Sequence, residues 1–323
     1  LKGRVLLNLD SEDEGIFLTG CAGGATATCT IPVQWVEEEG VRYGVHIENL
    51  TGGHSGMEIG NGRANANVLM GRLLYTLMDE TDVYIASLTG GEKDNAIPRF
   101  CHGEVVVKPE QTGAFERCLA EAAAAMKREY AVREPEARIY AQQMAEGNHR
   151  VLQPLSASRV VLALVHMPDG VQKMEKALAG AVRTSLKMRK IALGGDAFTT
   201  VSSVRSALAS EKAWLLEKLQ SLAMLLGGEC GISGEYPAWE YRPDSRIREQ
   251  IVRLYEEQTG KKAEICSIHA GLECGILAHK LPGLDCVSYG PQMQDIHTTG
   301  ERLSISSVKR TWELTLAVLA AFR

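Results

Sequence analysis

His297 sits in Asp295-Ile296-His297-Thr298-Thr299-Gly300-Glu301, an imidazole flanked by two carboxylates and small polar neighbours. A neutral imidazole nitrogen is a common zinc ligand, and a nearby carboxylate can coordinate too or orient the ring from behind. A single loop histidine can equally be solvated and inert, so the segment gains meaning only from what joins it. Asp10 is the first carboxylate after the apolar run 5–9 and is followed by Glu12, Asp13 and Glu14. Such an acidic loop is either solvated or a source of an oxygen ligand. Asp10, directly after the run, is preferred over Glu12 and Asp13. Asp10 and His297 would offer an oxygen and a nitrogen to Zn2+. A hydrolytic zinc centre needs at least three protein ligands and an open position for water, so this pair is an incomplete set.

Thr51-Gly52-Gly53-His54-Ser55-Gly56 is the second chemical feature. Its glycines permit a tight turn that brings an imidazole close to a ligand. There His54 could donate to an oxyanion or carboxylate; the bland alternative is a turn with a surface histidine. Ser55 lacks the surroundings of a nucleophile elbow. Asn95-Ala96-Ile97-Pro98-Arg99 sets an amide and a guanidinium about a proline turn, and the Arg99 fork suits a carboxylate unless it is simply a surface side chain. Ile268-His269-Ala270-Gly271-Leu272-Glu273-Cys274-Gly275 opens a helix after a strand. Helix N-termini attract anions, so a substrate carboxylate could dock here with His269 as a further donor. Cys274 with His269 is the thiol-hydrolase alternative.

These side chains need elements to position them. Residues 5–9 and 16–18 read as short strands, and 26–48 as strands with alternation strongest over 42–48. The spacing of Val68, Leu69, Leu73, Leu74 and Leu77 predicts a helix over 65–78. A strand at 83–88, a hairpin-like unit at 96–98 and 103–107, a helix at 111–130 and a strand at 137–142 follow. The order β-α-β-β-α-β is ferredoxin-like. A helix at 156–164, strands at 186–193 and 197–205 and a helix at 210–226 predict a second, imperfect half of the same domain. After Trp239, a helix at 245–259, a strand at 263–268, a helix at 274–279, a strand at 284–288 and a helix at 307–322 alternate. That pattern predicts a sheet with helices on both faces and a site at the carboxyl ends of its strands.

A chain of 323 residues is long enough for two domains. Its net charge of −5, with no basic cluster, argues against nucleic acid as a main partner. No apolar run approaches the ~20 residues of a membrane span. The eight cysteines show no metal-knuckle spacing, and with no signal peptide they predict reduced thiols in a cytoplasmic protein.

Several motifs occur together and in order: Leu9-Asp10-Ser11-Glu12, Gly20-Cys21-Ala22-Gly23-Gly24, Gly52-Gly53-His54-Ser55-Gly56 and Arg63-Ala64-Asn65-Ala66. They continue with Asn95-Ala96-Ile97-Pro98-Arg99, Thr200-Val201-Ser202-Ser203-Val204-Arg205, Tyr236-Pro237-Ala238-Trp239, the His269 segment and the His297 segment. As a set they span essentially the whole chain. The set resembles the cytosolic aminoacyl-histidine (Xaa-His, carnosine-cleaving) dipeptidases, a branch of the co-catalytic zinc aminopeptidases, carboxypeptidases and aminoacylases.

The resemblance implies an α/β fold: a zinc-peptidase-like α/β sandwich catalytic domain, present in part as residues 1–24 and 239–323. Residues 25–238 would be an inserted α+β ferredoxin-like lid and dimerisation domain. Asp10 would bind one metal and His297 the other, with two Zn2+ expected per complete subunit and Co2+ or Mn2+ as substitutes. His54 would be the lid histidine that stabilises the oxyanion, within the subunit or across a dimer. Asn95, Arg99, His269 and Glu273 would contact substrate. The implied protein is a cytoplasmic homodimer hydrolysing dipeptides such as β-alanyl-histidine. The family's His-x-Asp motif, bridging Asp and paired glutamates (general base and ligand) precede the Asp10 strand and have no counterpart here. Together with Leu1 leading straight into a strand, this makes the chain resemble the C-terminal two-thirds of such an enzyme, inactive by itself. The rival reading is a non-enzymatic dimerisation or peptide-binding module derived from the lid.

Overall fold

The computed structural model describes residues 2–93, 95–176, 178 and 180–322. Leu1 and Arg323, at the ends of the outer segments, lie outside the described residues. The chain opens with β1 (Val5–Asn8) and β2 (Ile16–Cys21), then enters β3 (Gly23–Pro32) and the long β4 (Trp35–Glu48). There follow α1 (Ala66–Glu80), β5 (Val83–Gly90), β6 (Cys101–Val107), α2 (Thr112–Glu129) and β7 (Arg138–Leu152). The next stretch holds α3 (Pro154–His166), β8 (Gly170–Met174), β9 (Val182–Gly194), β10 (Ala197–Ser206), α4 (Ala209–Leu225) and β11 (Glu229–Tyr236). The last consists of α5 (Arg246–Thr259), β12 (Glu264–Ile268), α6 (Glu273–Lys280), β13 (Asp285–Ser288), β14 (Met293–Gln294), β15 (Arg302–Leu303) and α7 (Ile305–Ala321).

Strands from residues 23–236 form one sheet in the order β11-β3-β10-β9-β5-β6-β4-β7, with β8 on β9. The order β5-β6-β4-β7 is that of a ferredoxin-like unit built from β4-α1-β5-β6-α2-β7. The other half repeats it: β11-β3-β10-β9 has the same order, with α3 and α4 as its helices and β3 as its first strand. The second half therefore begins before the first one and ends after it. The two join where Thr89 and Gly90 of β5 pair with Ala192 and Ile191 of β9.

Helix α1 shows how the sequence makes this layer. The Asn65 side chain caps it by accepting from the Asn67 amide, and Leu69, Met70, Leu73, Leu74 and Leu77 are buried on one face. They join Val45, Ile47, Ile85, Val105 and Phe115 in one large apolar core against the sheet. Alternation on β4 sends Val45 and Ile47 into that core and leaves His46 and Glu48 on the opposite face.

The segments on either side of this unit build a second sheet, β1-β13-β2-β12. Strands β1 and β13 pair in parallel, as do β2 and β12. Phe17, Val287 and Tyr289 pack on one face with α5 and α7 through Ile247, Ile251, Leu314 and Val318. Cys21 and Cys286 pack with Cys274 of α6 and with Trp239, a second small core. Helix α5 is tied to the sheet by its cap: Ser245 Oγ accepts from the Arg248 amide and donates to Asp285 Oδ1 at 2.6 Å.

Three details differ from the sequence reading. Strand β7 runs on to Leu152, ten residues past the expected end at 142, because it pairs with β4 as far as Trp35↔Leu152. Residues 96–98 form no strand; only Ala96 makes a bridge, to His54. Strands β8 and β11 were not expected. Both lie at sheet margins, where polar residues and glycine are tolerated and the apolar signal is weak.

Candidate active site

The His54 turn is held from several sides. Gly52 and Gly53 adopt positive φ of 70° and 124°, which a side chain would strain. The Gly53 carbonyl accepts from the Ile97 amide at 2.8 Å, and the Ser55 amide donates to the Asn95 carbonyl at 2.8 Å. His54 and Asn95, 41 positions apart, are thus zipped together. Glu58 accepts from the His54 amide at 2.7 Å and pairs with Arg63 at 2.8 Å. These contacts, the His54 amide foremost, hold the Glu58 carboxyl below its ordinary range. Glu134, buried at the far end of the turn, accepts from the amides of Thr51 at 2.6 Å and Ala64 at 2.8 Å.

The His54 ring is oriented by its own backbone. Its Nδ1 lies 3.2 Å from the Gly56 amide and 3.0 Å from the Met57 amide, so it is an acceptor. The neutral ring must then carry its proton on Nε2, where it is available to donate. Burial, and secondarily the charge of Arg205, lowers the ring's pKa and keeps it neutral. Ser55 Oγ is buried without a hydrogen-bond partner, so no base activates it.

Gly56 is the crossing point of the site. A Cβ there would stand 2.7 Å from the His269 carbonyl and 3.2 Å from both Arg205 Cζ and His54 Cε1. Arg205, from the end of β10, donates through Nη1 to the Tyr236 hydroxyl at 3.3 Å and to the His269 carbonyl at 3.4 Å. Its buried Nε has no protein partner. A half-satisfied guanidinium beside an imidazole donor is suited to an anionic group. Arg205 was part of a quoted motif but was not among the candidate residues. Its signal was a lone arginine closing a β-branched strand.

His269 points elsewhere. Its ring is buried, and Nε2 lies 2.7 Å from Ser185 Oγ of β9, so it joins the two sheets. Burial first, and then Arg205, push its pKa down to about 4. Cys274 is fully buried and its thiol is pushed up to about 12 by burial, so the pair offers neither a thiolate nor an adjacent base. Glu273 is exposed in the first turn of α6.

Asp10 is exposed on the loop after β1. With Glu12, Asp13, Gly56, Met57 and His269 it lines a cleft of about 480 Å³ between the two sheets. Burial, Asp13 and Asp10 raise the pKa of Glu12, while His297 opposes them, which sets these four groups around one another. His297 is exposed at the tip between β14 and β15, and both it (φ 61°) and Asp295 (φ 53°) are in the left-handed region. Such strain in non-glycine residues is characteristic of functional loops. The tip is pinned by Glu301 accepting from the His297 amide at 2.9 Å and by Arg302 pairing with Asp295 at 2.7 Å.

His54, Asn95 and Arg99 line a different cavity, of about 840 Å³. Arg99 spends its Nε on the Leu50 carbonyl at 2.9 Å and lies against Gly52. The sequence-predicted residues therefore fall in two groups: Asp10 and His269 on one cleft, and His54, Asn95 and Arg99 on the other. His297 and Glu273 line neither. Among the described residues, Asp10 and His297 belong to no cluster of three close metal-ligating atoms; the cluster that does occur is His46, Glu48 and His102.

The two sheets give an α/β architecture in which a large α+β unit, residues 23–236, is inserted between the two segments of the smaller sheet. Residues 45–134 match the family described as the peptidase dimerisation domain. Over 99% of its length the chain is similar to the cytosol non-specific dipeptidase of Escherichia coli (strain K12), at 30% identity and covering 66% of that protein. Its fold superposes on the crystal structure of aminoacylhistidine dipeptidase from Vibrio alginolyticus with a TM-score of 0.95 and 33% identity, over 99% of this chain and 66% of that one. The chain thus spans slightly less than two thirds of the length of both. Among the described residues, no helix is long and apolar enough to cross a membrane.

Proposed function

We propose that this chain acts in the metal-dependent hydrolysis of dipeptides of the Xaa-His type, such as β-alanyl-histidine. The carrying observation is the His54–Arg205 pair: an Nε2–H donor of defined tautomer beside a guanidinium with an unpartnered nitrogen. The similarity to dipeptidases along the whole chain supports the same reading. In it, Arg205 holds the substrate carboxylate, and His54 donates to the carbonyl oxygen on which negative charge develops. Asn95 and Arg99 border the cavity that His54 lines and contact the remainder of the substrate. His269, neutral and tied to Ser185, fixes the lid over the cleft.

A bound zinc ion would supply Lewis-acid polarisation and an activated water. Asp10 and His297 have the oxygen and nitrogen donors that zinc takes, and would each hold one of two ions. Two ligands fall short of the three protein ligands of a hydrolytic centre. Because His54 lines a cavity other than the Asp10 cleft, the arrangement favours a homodimer in which the lid histidine serves the cleft of a second copy. The match to a dimerisation domain supports this, and a cytoplasmic setting accords with the name of the Escherichia coli relative.

Calorimetric titration of β-alanyl-histidine into the chain with Zn2+ tests the reading. Arg205→Ala should weaken binding tenfold or more, and the substrate's methyl ester, lacking the carboxylate, should bind wild type equally poorly. Equal affinity of dipeptide and ester would overturn the assignment of Arg205.

A further inference from the structure

We propose that His46, Glu48 and His102 form a site for one divalent transition-metal ion on the helix-free face of the lid sheet, apart from Asp10 and His297. His46 of β4 and His102 of β6 are direct cross-strand partners, and Glu48 stands two residues beyond His46 on the same face. Their ligand atoms lie within 4.8 Å of one another. The two Nδ1 atoms are 2.8 Å apart, and Glu48 Oε1 is 4.0 Å from one and 3.8 Å from the other. Ligands on a tetrahedral ion with bonds near 2.0–2.1 Å stand about 3.3 Å apart. The imidazoles need only part, and the carboxylate close in, by roughly half an ångström each. Two histidines and one glutamate are a zinc donor set that leaves a fourth position open.

The surroundings hold each ligand in that pose. The Tyr140 hydroxyl donates to Glu48 Oε2 at 3.2 Å, leaving Oε1 toward the imidazoles. The Tyr140 ring stacks on His46 at 4.9 Å, and Phe100 stacks on His102 at 5.2 Å. Such supports fix ring orientation around a metal. Gly44 makes room: a Cβ there would stand 2.9 Å from His46 Nε2. Without an ion, two facing nitrogens can share a single proton, and a second proton would set two N–H groups against each other. The charged groups nearby are Glu104, which favours a cation, with its partner Arg42, and Arg138, whose guanidinium lies over the Tyr140 ring at 5.1 Å. All three ligand side chains are only partly buried, and Glu48 and His102 line the larger cavity, so an ion has a path in.

The test is titration of the metal-free chain with Co2+ alone, read by its visible absorption and by calorimetry, followed by displacement with Zn2+. Wild type should bind one equivalent more than the His46→Gln/His102→Gln double variant. His297→Ala should retain that equivalent, and Glu48→Gln should weaken it tenfold or more. Equal stoichiometry and equal spectra in wild type and a folded double variant would overturn the proposal. Should the double variant fail to fold, unchanged Co2+ affinity in Glu48→Gln overturns it instead.

Discussion

Mild acid should loosen the lid from the smaller sheet at His269. This ring is 8% exposed and bonded through Nε2 to Ser185 at 2.7 Å, linking the loop after β12 to β9. Its burial and the Arg205 charge move its pKa from 6.5 to about 4 in the folded chain. Between those values the unfolded chain binds the proton that the folded chain refuses. Stability is therefore full above about 6.5 and falls as pH drops through the window to 4. That span corresponds to roughly 3 kcal/mol, a large share of the ~5–15 kcal/mol that holds a domain together. His54 and His46 shift in the same direction and add to the slope. The assay is urea unfolding at a series of pH values across this window, for wild type and His269→Gln. The variant should start less stable but lose about 3 kcal/mol less on acidification. Parallel losses in the two proteins, or a folded-state NMR titration of the His269 ring centred near 6.5, would refute the argument.

Two neighbouring sites and the thiols yield further expectations. Gly56→Ala forces a methyl to 2.7 Å from the His269 carbonyl and should cost about 1–3 kcal/mol in denaturant unfolding; an unchanged midpoint would mean the turn yields freely. Glu134→Ala strands the Thr51 and Ala64 amides and should cost roughly 2–4 kcal/mol, with faster amide exchange over the His54 turn as its local signature. Cys274 and Cys286, both pushed up to about 12 by burial, should resist iodoacetamide at neutral pH until the chain is denatured. Rapid alkylation of either in the folded protein would contradict that burial.

Much of the fold was legible because its signals are local. The apolar stripe of α1, the Ser245 cap of α5 and the alternation of β4 each follow from neighbouring residues, and the helices fall within a few residues of expectation. The doubled ferredoxin-like order was only hinted at by the elements. One half wraps around the other, so its first strand, β3, is separated from its helix α3 by the whole of the first half. The candidate site was legible as motifs but not as geometry. His54, Asp10 and His297 stand out by composition, yet nothing in their spacing reveals that His54 and Asp10 line different cavities and that His297 lines neither. Glu134 and Ser185 carry no chemical motif, and their roles arise only from partners 70 or more positions away.

The sequence by itself determined which side chains this protein can bring to a reaction and which faces of its helices and strands must be buried, since both depend on residue type and short-range periodicity. Only the tertiary structure decided which of those side chains meet. It ties His269 to Ser185 and not to Cys274, it sets Arg205 beside His54, and it lays His46 against His102 across two strands. The reason is physical. Proximity between distant residues is fixed by sheet register and by the packing of the two cores, and no local pattern encodes either.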